Sequence, residues 1–291
     1  MDNYLLPEDD GLRARSFGPW VAVKLDYLKR YIDVFETSMR NRPWRQRTYI
    51  DLFAGSGKCY VKTQNKFYLG SPLLALSTQY PFTHYYFVDI DEANITALQQ
   101  RCGNPKNITY KVGDSNQKVF DILADIKKVD NQFIKGIYSS LNLAFLDPDG
   151  LELEWRTVEA LAQADKMDLI IHYSQFGLTR NIEGFYKSNE ETVIDRFFGD
   201  QEWRKVYRDY LHNRSQGGIH RQLIDYYKSK LQTLGYVDVL RDDETGAEPL
   251  IRNAKRKAPL YRLIFASKHQ LGHDFWKAVT RKDVYGQERL C

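Results

Sequence analysis

Between residues 48 and 173 the chain alternates short apolar runs with amphipathic stretches, and nearly every apolar run ends in an acid or a glycine. Thr48–Phe53, His84–Asp89, Ile108–Val112, Leu141–Leu146 and Asp168–Tyr173 are rich in β-branched and aromatic residues and read as strands. Ser71–Tyr80, Glu92–Cys102, Asn116–Ile126 and Trp155–Ala164 carry apolar residues at helical steps. Such alternation implies crossover units and a parallel sheet covered by helices. Right-handed crossovers then bring every strand's carboxyl end to one edge, where ligands bind.

The flanks extend this plan. Val21, Leu25, Leu28, Ile32 and Phe35 predict a helix over Trp20–Met39, stopped by Pro43. Residues up to about Phe17 read as a loose lead-in, and Cys59–Leu69 as a loop inserted before the next helix. Thr179–Asn213 has helical spacing, and Ile219–Leu234 is a helix closed by Gly235. Tyr236–Leu240 and Leu260–Ala266 predict an antiparallel hairpin. The expected architecture is α/β and Rossmann-like, with a mostly parallel seven-stranded sheet. Its parts are an N-terminal helical segment (1–45), a core (46–178), a helical insertion or lid (179–215), and a C-terminal helix and hairpin (216–291).

Composition narrows the classes. No run approaches the length of a membrane-spanning helix. The first residues, Met1-Asp2-Asn3-Tyr4, do not read as a signal peptide. Cys59, Cys102 and Cys291 are too few and too scattered for a disulfide framework or a zinc site, so a cytoplasmic setting is expected. A net charge of +4 is mild. The 20 tyrosines and 15 phenylalanines suit packing first and base stacking second.

The strand ends carry the chemistry. Asp51-Leu52-Phe53-Ala54-Gly55-Ser56-Gly57 forms a glycine loop after the first strand, letting backbone approach a ligand. It lacks the spacing of a phosphate-binding loop and of a full dinucleotide fingerprint, which disfavours a nicotinamide cofactor. Asp89 ends the second strand, where a carboxylate can accept from ribose hydroxyls. Asp91 suits a helix N-cap, and Asp114, after the third strand, suits both a cap and a ligand contact. Asp147-Pro148-Asp149-Gly150 is a rigid turn presenting two acids. His172 and Tyr173 end the fifth strand, where a histidine is more often structural. His269 and His273 stand four apart, but Gly272 between them argues against one continuous helix. Arg252–Lys257 holds four basic residues and reads as a solvated hairpin loop or a phosphate contact.

Taken together, these stretches resemble the class I S-adenosylmethionine-dependent methyltransferases. More narrowly they resemble the three-Cys-motif partner (TcmP) family of prokaryotes. The resemblance runs through Tyr49–Gly57, Gly70-Ser71-Pro72-Leu73, Phe145–Gly150, Pro259-Leu260-Tyr261, Phe265-Ala266-Ser267-Lys268-His269 and Gly272-His273. It implies S-adenosylmethionine as cofactor and no metal. Asp51, Phe53, Gly55, Ser56 and Gly57 would hold its methionine part, Asp89 and Ile90 the ribose, and Asp114 and Ser115 the adenine. Asp147 and Asp149 would be the catalytic pair facing the acceptor. It also implies a radical-type protein with three cysteines as a partner. Asp149 stands where base-methylating enzymes carry an aromatic residue, which weakens that chemistry. Nucleic acid is nonetheless the favoured acceptor. A non-catalytic cofactor-binding module is the alternative, and a nicotinamide-dependent enzyme the third reading.

Overall fold

The strands, numbered along the chain, are β1 (Arg15–Ser16), β2 (Arg47–Asp51), β3 (Lys58–Val61), β4 (Lys66–Leu69), β5 (His84–Asp89), β6 (Ile108–Val112), β7 (Leu141–Leu146), β8 (Met167–Tyr173), β9 (Leu250–Arg252) and β10 (Pro259–Ala266). The helices are α1 (Val21–Met39), α2 (Ser71–Leu76), α3 (Glu92–Cys102), α4 (Ser115–Asp130), α5 (Trp155–Ala162), α6 (Gln175–Tyr186), α7 (Val193–Phe198), α8 (Trp203–Asn213), α9 (Gly218–Thr233) and α10 (Gln270–Thr280). The computed structural model describes residues 7–132, 134–213, 218–237, 248–253 and 256–282.

Seven strands form the central sheet in the order β6-β5-β2-β7-β8-β10-β9. The five from β6 to β8 are parallel. β10 runs antiparallel to β8, with Arg262 opposite Tyr173 and Ala266 opposite Leu169. β9 pairs antiparallel with β10. The strand order reverses between β2 and β7, which opens a crevice at their carboxyl ends.

Strand side chains alternate between two cores, as the pleat requires. Tyr49, Phe87, Phe145 and Ile170 face a core shared with α1, α2 and α10. Ile50, Val88, Leu146 and Ile171 face the other, with α4, α5 and the helices from α6 to α9. In residues 179–215, Phe197, Phe198 and Trp203 join that second core, as does Ile182. The aromatic load serves these cores: Tyr31, Tyr49, Tyr85, Tyr173 and Tyr227 have no exposed surface. Among the described residues no helix is long and apolar enough to cross a membrane.

Three expectations are corrected. Cys59–Leu69 is not a loop but contains the hairpin β3–β4, in which Cys59 lies opposite Tyr68. The N-terminal segment is not loose, because β1 adds to β3 in parallel and Phe17 N donates to Tyr60 O at 2.9 Å. Of the predicted strand Tyr236–Leu240, residues 238–240 lie outside the described residues; Val237 bridges Ser267 in the antiparallel sense, and β9 also pairs antiparallel with β10. The third correction is α10, which runs straight through Gly272. His269 caps it, accepting from Leu271 N through Nδ1 at 3.1 Å. A Cβ at position 272 would stand 2.5 Å from Ser267 Oγ and 2.8 Å from Ser267 Cβ. Glycine is therefore what lets the helix lie on the end of β10, and close packing outweighs its helix penalty of ~1 kcal/mol. Gly272→Ala is expected to destabilise the fold by about 1–3 kcal/mol, read from chemical denaturation. An unchanged midpoint would show that the contact tolerates a methyl group.

Candidate functional site

The carboxyl ends of β2, β5 and β7 bring the sequence-predicted acids to one edge. The glycine loop follows β2. Gly55 and Gly57 have φ of +60° and +86°, the left-handed region that suits glycine. A Cβ on Gly57 would strike Leu98 at 2.7 Å, and one on Gly70 would strike the carbonyl of Gly57 at 2.8 Å. A Cβ on Gly55 would meet nothing, so that side of the loop is open. Ser56 is buried, and its carbonyl accepts from Arg101 at 2.5 Å.

Each acid has a defined partner. Asp51 is fully buried beneath the loop and accepts from Phe53 N at 3.2 Å. Burial raises its pKa to about 7; a hydrogen bond with Ser71 opposes the rise and the nearby Asp147 adds to it. Asp89 ties strand to loop, accepting from Gly55 N (2.8 Å), Asp91 N (2.9 Å) and Asn94 Nδ2 (3.1 Å). A carboxylate has about four acceptor positions, so Asp89 keeps roughly one for a ligand rather than the two a bidentate grip needs. Asp91 and Asp114 are N-caps, accepting from Ala93 N and Asn116 N, each at 2.9 Å. Ser115 is buried at the start of α4, whereas Ile90 is 76% exposed.

Asp147 lies against Lys24 of α1 in a buried ion pair, and its Oδ1 is 3.0 Å from His172 Nδ1. Burial would raise its pKa, but Lys24 and His172 outweigh burial and hold it at about 2. Burial lowers the pKa of His172. A carboxylate can only accept, so Nδ1 carries the ring proton and Nε2 of the neutral ring is unprotonated. Tyr261 packs against the ring at a tilt of 56°, with centroids 4.1 Å apart. Asp149 is half-exposed and ion-paired with Arg15.

Phe53, Gly55, Ser56, Gly57, Asp147 and Asp149 line one cavity of about 40 Å³, together with Arg15, Phe17 and Lys24. Ile90, Asp114 and Ser115 lie on the same edge outside it, and Asp51 lies beneath. The cavity is small because the N-terminal segment is strapped across it. Asp10 accepts from Arg101 and Lys58, each at 2.8 Å, and Arg13 meets Asp91 at 2.6 Å. The basic turn joining β9 to β10, with Arg252, Arg256 and Lys257, projects at this same edge, since β10 is antiparallel to β8.

The sequence reading missed Lys24 and Arg15. For Lys24 a signal exists: it stands three residues from Val21 and four from Leu28, inside the apolar stripe of α1. It is only 6% exposed. Cys59 is buried, and burial pushes its thiol up to about 12, which removes it as a nucleophile.

No family model matches the chain, and no curated protein matches it in sequence. Solved structures match in shape. The LPL1258 protein of Legionella pneumophila, assigned to family-model DUF519, is 12% identical, with a TM-score of 0.42 over 62% of this chain and 74% of that one. The CurJ carbon methyltransferase is 13% identical, with a TM-score of 0.36 over 82% of this chain and 54% of its own. The YcgJ protein of Bacillus subtilis is 12% identical, with a TM-score of 0.29 over 81% and 95%. The chain thus spans about half the length of the carbon methyltransferase it matches. Activities do not transfer at such identities.

Two outcomes follow from the buried charges. Asp147→Ala leaves the Lys24 ammonium buried and unpaired, and should cost about 3–5 kcal/mol of stability. The double variant Lys24→Met with Asp147→Leu should recover most of that loss in denaturant titrations; no recovery would remove the ion pair as the cause. The folded pKa of Asp51, about 7, lies above its unfolded value of ~4. Its carboxyl therefore favours the fold most in acid, and that contribution is lost as pH rises from ~4 through about 7. Asp51→Asn does not titrate, so its melting temperature should gain on the parent across that window. Parallel curves would refute the assignment.

Proposed function

We propose that the protein binds S-adenosylmethionine at the β2–β7 crevice and acts as a class I methyltransferase. What carries this reading is the coupling of Asp89 to Gly55 N, which fixes an open glycine loop at a strand-order reversal. The chemistry of the residues fits the cofactor. Lys24 would meet its carboxylate, and Gly55 and Gly57 would let the backbone approach its methionine part. The remaining acceptor position of Asp89 would take a ribose hydroxyl. Ile90 offers exposed apolar surface for a base, and Asp114 and Ser115 stand beside it. The cavity of about 40 Å³ is far below the ~300 Å³ at which ligand pockets begin, so the N-terminal segment must move for the whole cofactor to enter.

When bound, S-adenosylmethionine supplies an electrophilic methyl group. The chain's own task is to align an acceptor and manage its proton. His172 lies behind Asp147, outside the cavity lining, and its part is to orient that carboxylate. Asp149 faces the acceptor side once Arg15 leaves with the strap.

Nucleic acid is the acceptor class we favour. Its support is the basic β9–β10 turn on the ligand edge and the Asp-Pro turn; the buried tyrosines withdraw the stacking argument. At the finer level we place the chain with the TcmP proteins, from the motifs quoted above, and hence with a three-cysteine radical-type partner. A non-catalytic cofactor-binding module is the second reading, favoured by the ion pairs that occupy both Asp147 and Asp149.

Calorimetry with S-adenosylhomocysteine tests the cofactor. Saturable binding is expected, weakened about tenfold or more by Asp89→Ala, which frees Gly55 N from its acceptor. No heat at millimolar ligand removes both readings. Labelled methyl transfer to DNA, RNA and protein then separates them. Transfer abolished by Asp149→Asn, with binding retained, supports the enzyme; binding with no transfer to any of the three supports the module.

A further inference from the structure

The largest side-chain motif left without a role is Ser267-Lys268-His269 with Gly272. It lies at the amino-terminal edge of the sheet, opposite the cofactor crevice, where β7 and β8 begin and β10 ends. There it borders a cavity of about 230 Å³. The apolar wall is Phe35, Trp44, Leu141, Met167, Leu271 and Phe275. Three aromatic rings and flat aliphatic surface suit a planar apolar body.

The polar groups of the wall divide into those already engaged and those that are not. Lys268 Nζ donates to the carbonyls of Ala162 (2.5 Å) and Ala164 (3.3 Å). Lys166 is paired with Asp165 at 2.6 Å. Asp168 accepts from Tyr31 OH at 2.8 Å and is hydrogen-bonded with Ser267. Three groups remain. Trp44 Nε1 is buried with no partner among the described residues. His269 Nδ1 accepts from Leu271 N, so its proton sits on Nε2, which makes no bond there. The Arg42 guanidinium makes no side-chain hydrogen bond or ion pair among the described residues. All three are donors, and one is a permanent cation. The two acids of the wall, Asp165 and Asp168, are each engaged, with Lys166 and with Tyr31.

We propose that this cavity is a second ligand site, separate from the cofactor crevice, that takes a small planar organic acid. The apolar body lies among Phe35, Trp44 and Phe275, and the carboxylate meets Arg42 with the N–H groups of Trp44 and His269. The volume sets the size at one or two rings, below that of drug-sized ligands. The donor set fixes the charge: a neutral analogue of the same shape leaves Arg42 without an anion, and charge-assisted hydrogen bonds are about twice as strong as neutral ones. Gly272 allows the site, since a side chain there would push α10 away from Ser267 and open the floor.

The test uses the full chain, labelled with nitrogen-15, and follows the indole N–H resonance of Trp44, assigned through Trp44→Phe. The probes are cinnamate and its uncharged isostere cinnamamide, with benzoate as a smaller acid. Cinnamate should shift the resonance saturably, with a dissociation constant on the order of 1 mM or tighter. Cinnamamide should bind about tenfold more weakly, and Arg42→Gln should bring cinnamate to the same level. Arg42 is exposed and makes no side-chain bond among the described residues, so that variant should melt with the parent. Saturating S-adenosylhomocysteine should leave the cinnamate titration unchanged. Three results would overturn the proposal: no response to either acid, equal affinity for acid and amide, or an Arg42→Gln variant that binds cinnamate like the parent.

Discussion

A parallel sheet gathers the ends of its strands, and in this chain those ends are acids. Asp51, Asp89, Asp91, Asp147 and Asp149 all stand on one edge, within reach of mutual repulsion in a poorly solvated crevice. The structure answers with two devices. Backbone amides satisfy Asp51, Asp89 and Asp91, as helix caps and loop ties. Cations from α1 and the N-terminal segment satisfy Asp147 and Asp149, through Lys24 and Arg15, and Arg13 adds to the bonds on Asp91. The Lys24–Asp147 pair is the most buried of these, and α1, the glycine loop and the strand-end turn are positioned around it. Closing the cleft and neutralising its acids are therefore one event.

The legible part of this molecule was the part governed by local periodicity. The parallel strands and the helices between them, from Arg47 to Tyr173, follow from residue patterns that the pleat and the helical repeat impose. The strand-end acids were legible for the same reason, since position along a strand decides which edge a residue occupies. What escaped was decided by contacts distant in sequence. β1 is two residues long and is a strand only because β3 accepts it. The β3–β4 hairpin holds Lys58, Asn65 and Lys66, which read as loop in isolation. Gly272 looks like a helix breaker until Ser267 is seen pressing against it. Lys24 is a surface residue by composition and a buried one by virtue of Asp147, 123 positions away.

The two faces of the sheet also differ in what they leave free. At the carboxyl edge, acids are neutralised and the cavity is nearly closed. At the amino edge, Trp44 Nε1 and the Arg42 guanidinium are unmatched among the described residues, and a larger cavity lies beside them. A fold that binds at one edge usually uses the other only for stability. Here the wall left by α1, α10 and the β7–β8 starts is apolar and cationic together.

The strap has an implication for how the chain is made. Residues 10–24 leave the ribosome before their partners, which run from Lys58 and Asp91 to Asp147 and Asp149. During synthesis the N-terminal cations have nothing to dock on, and the acids of the nascent sheet edge remain bare. Binding-site acids are thus covered only after the fourth parallel strand is complete. The strap is therefore the last part of the crevice to be fixed, although it is made before the strands it covers.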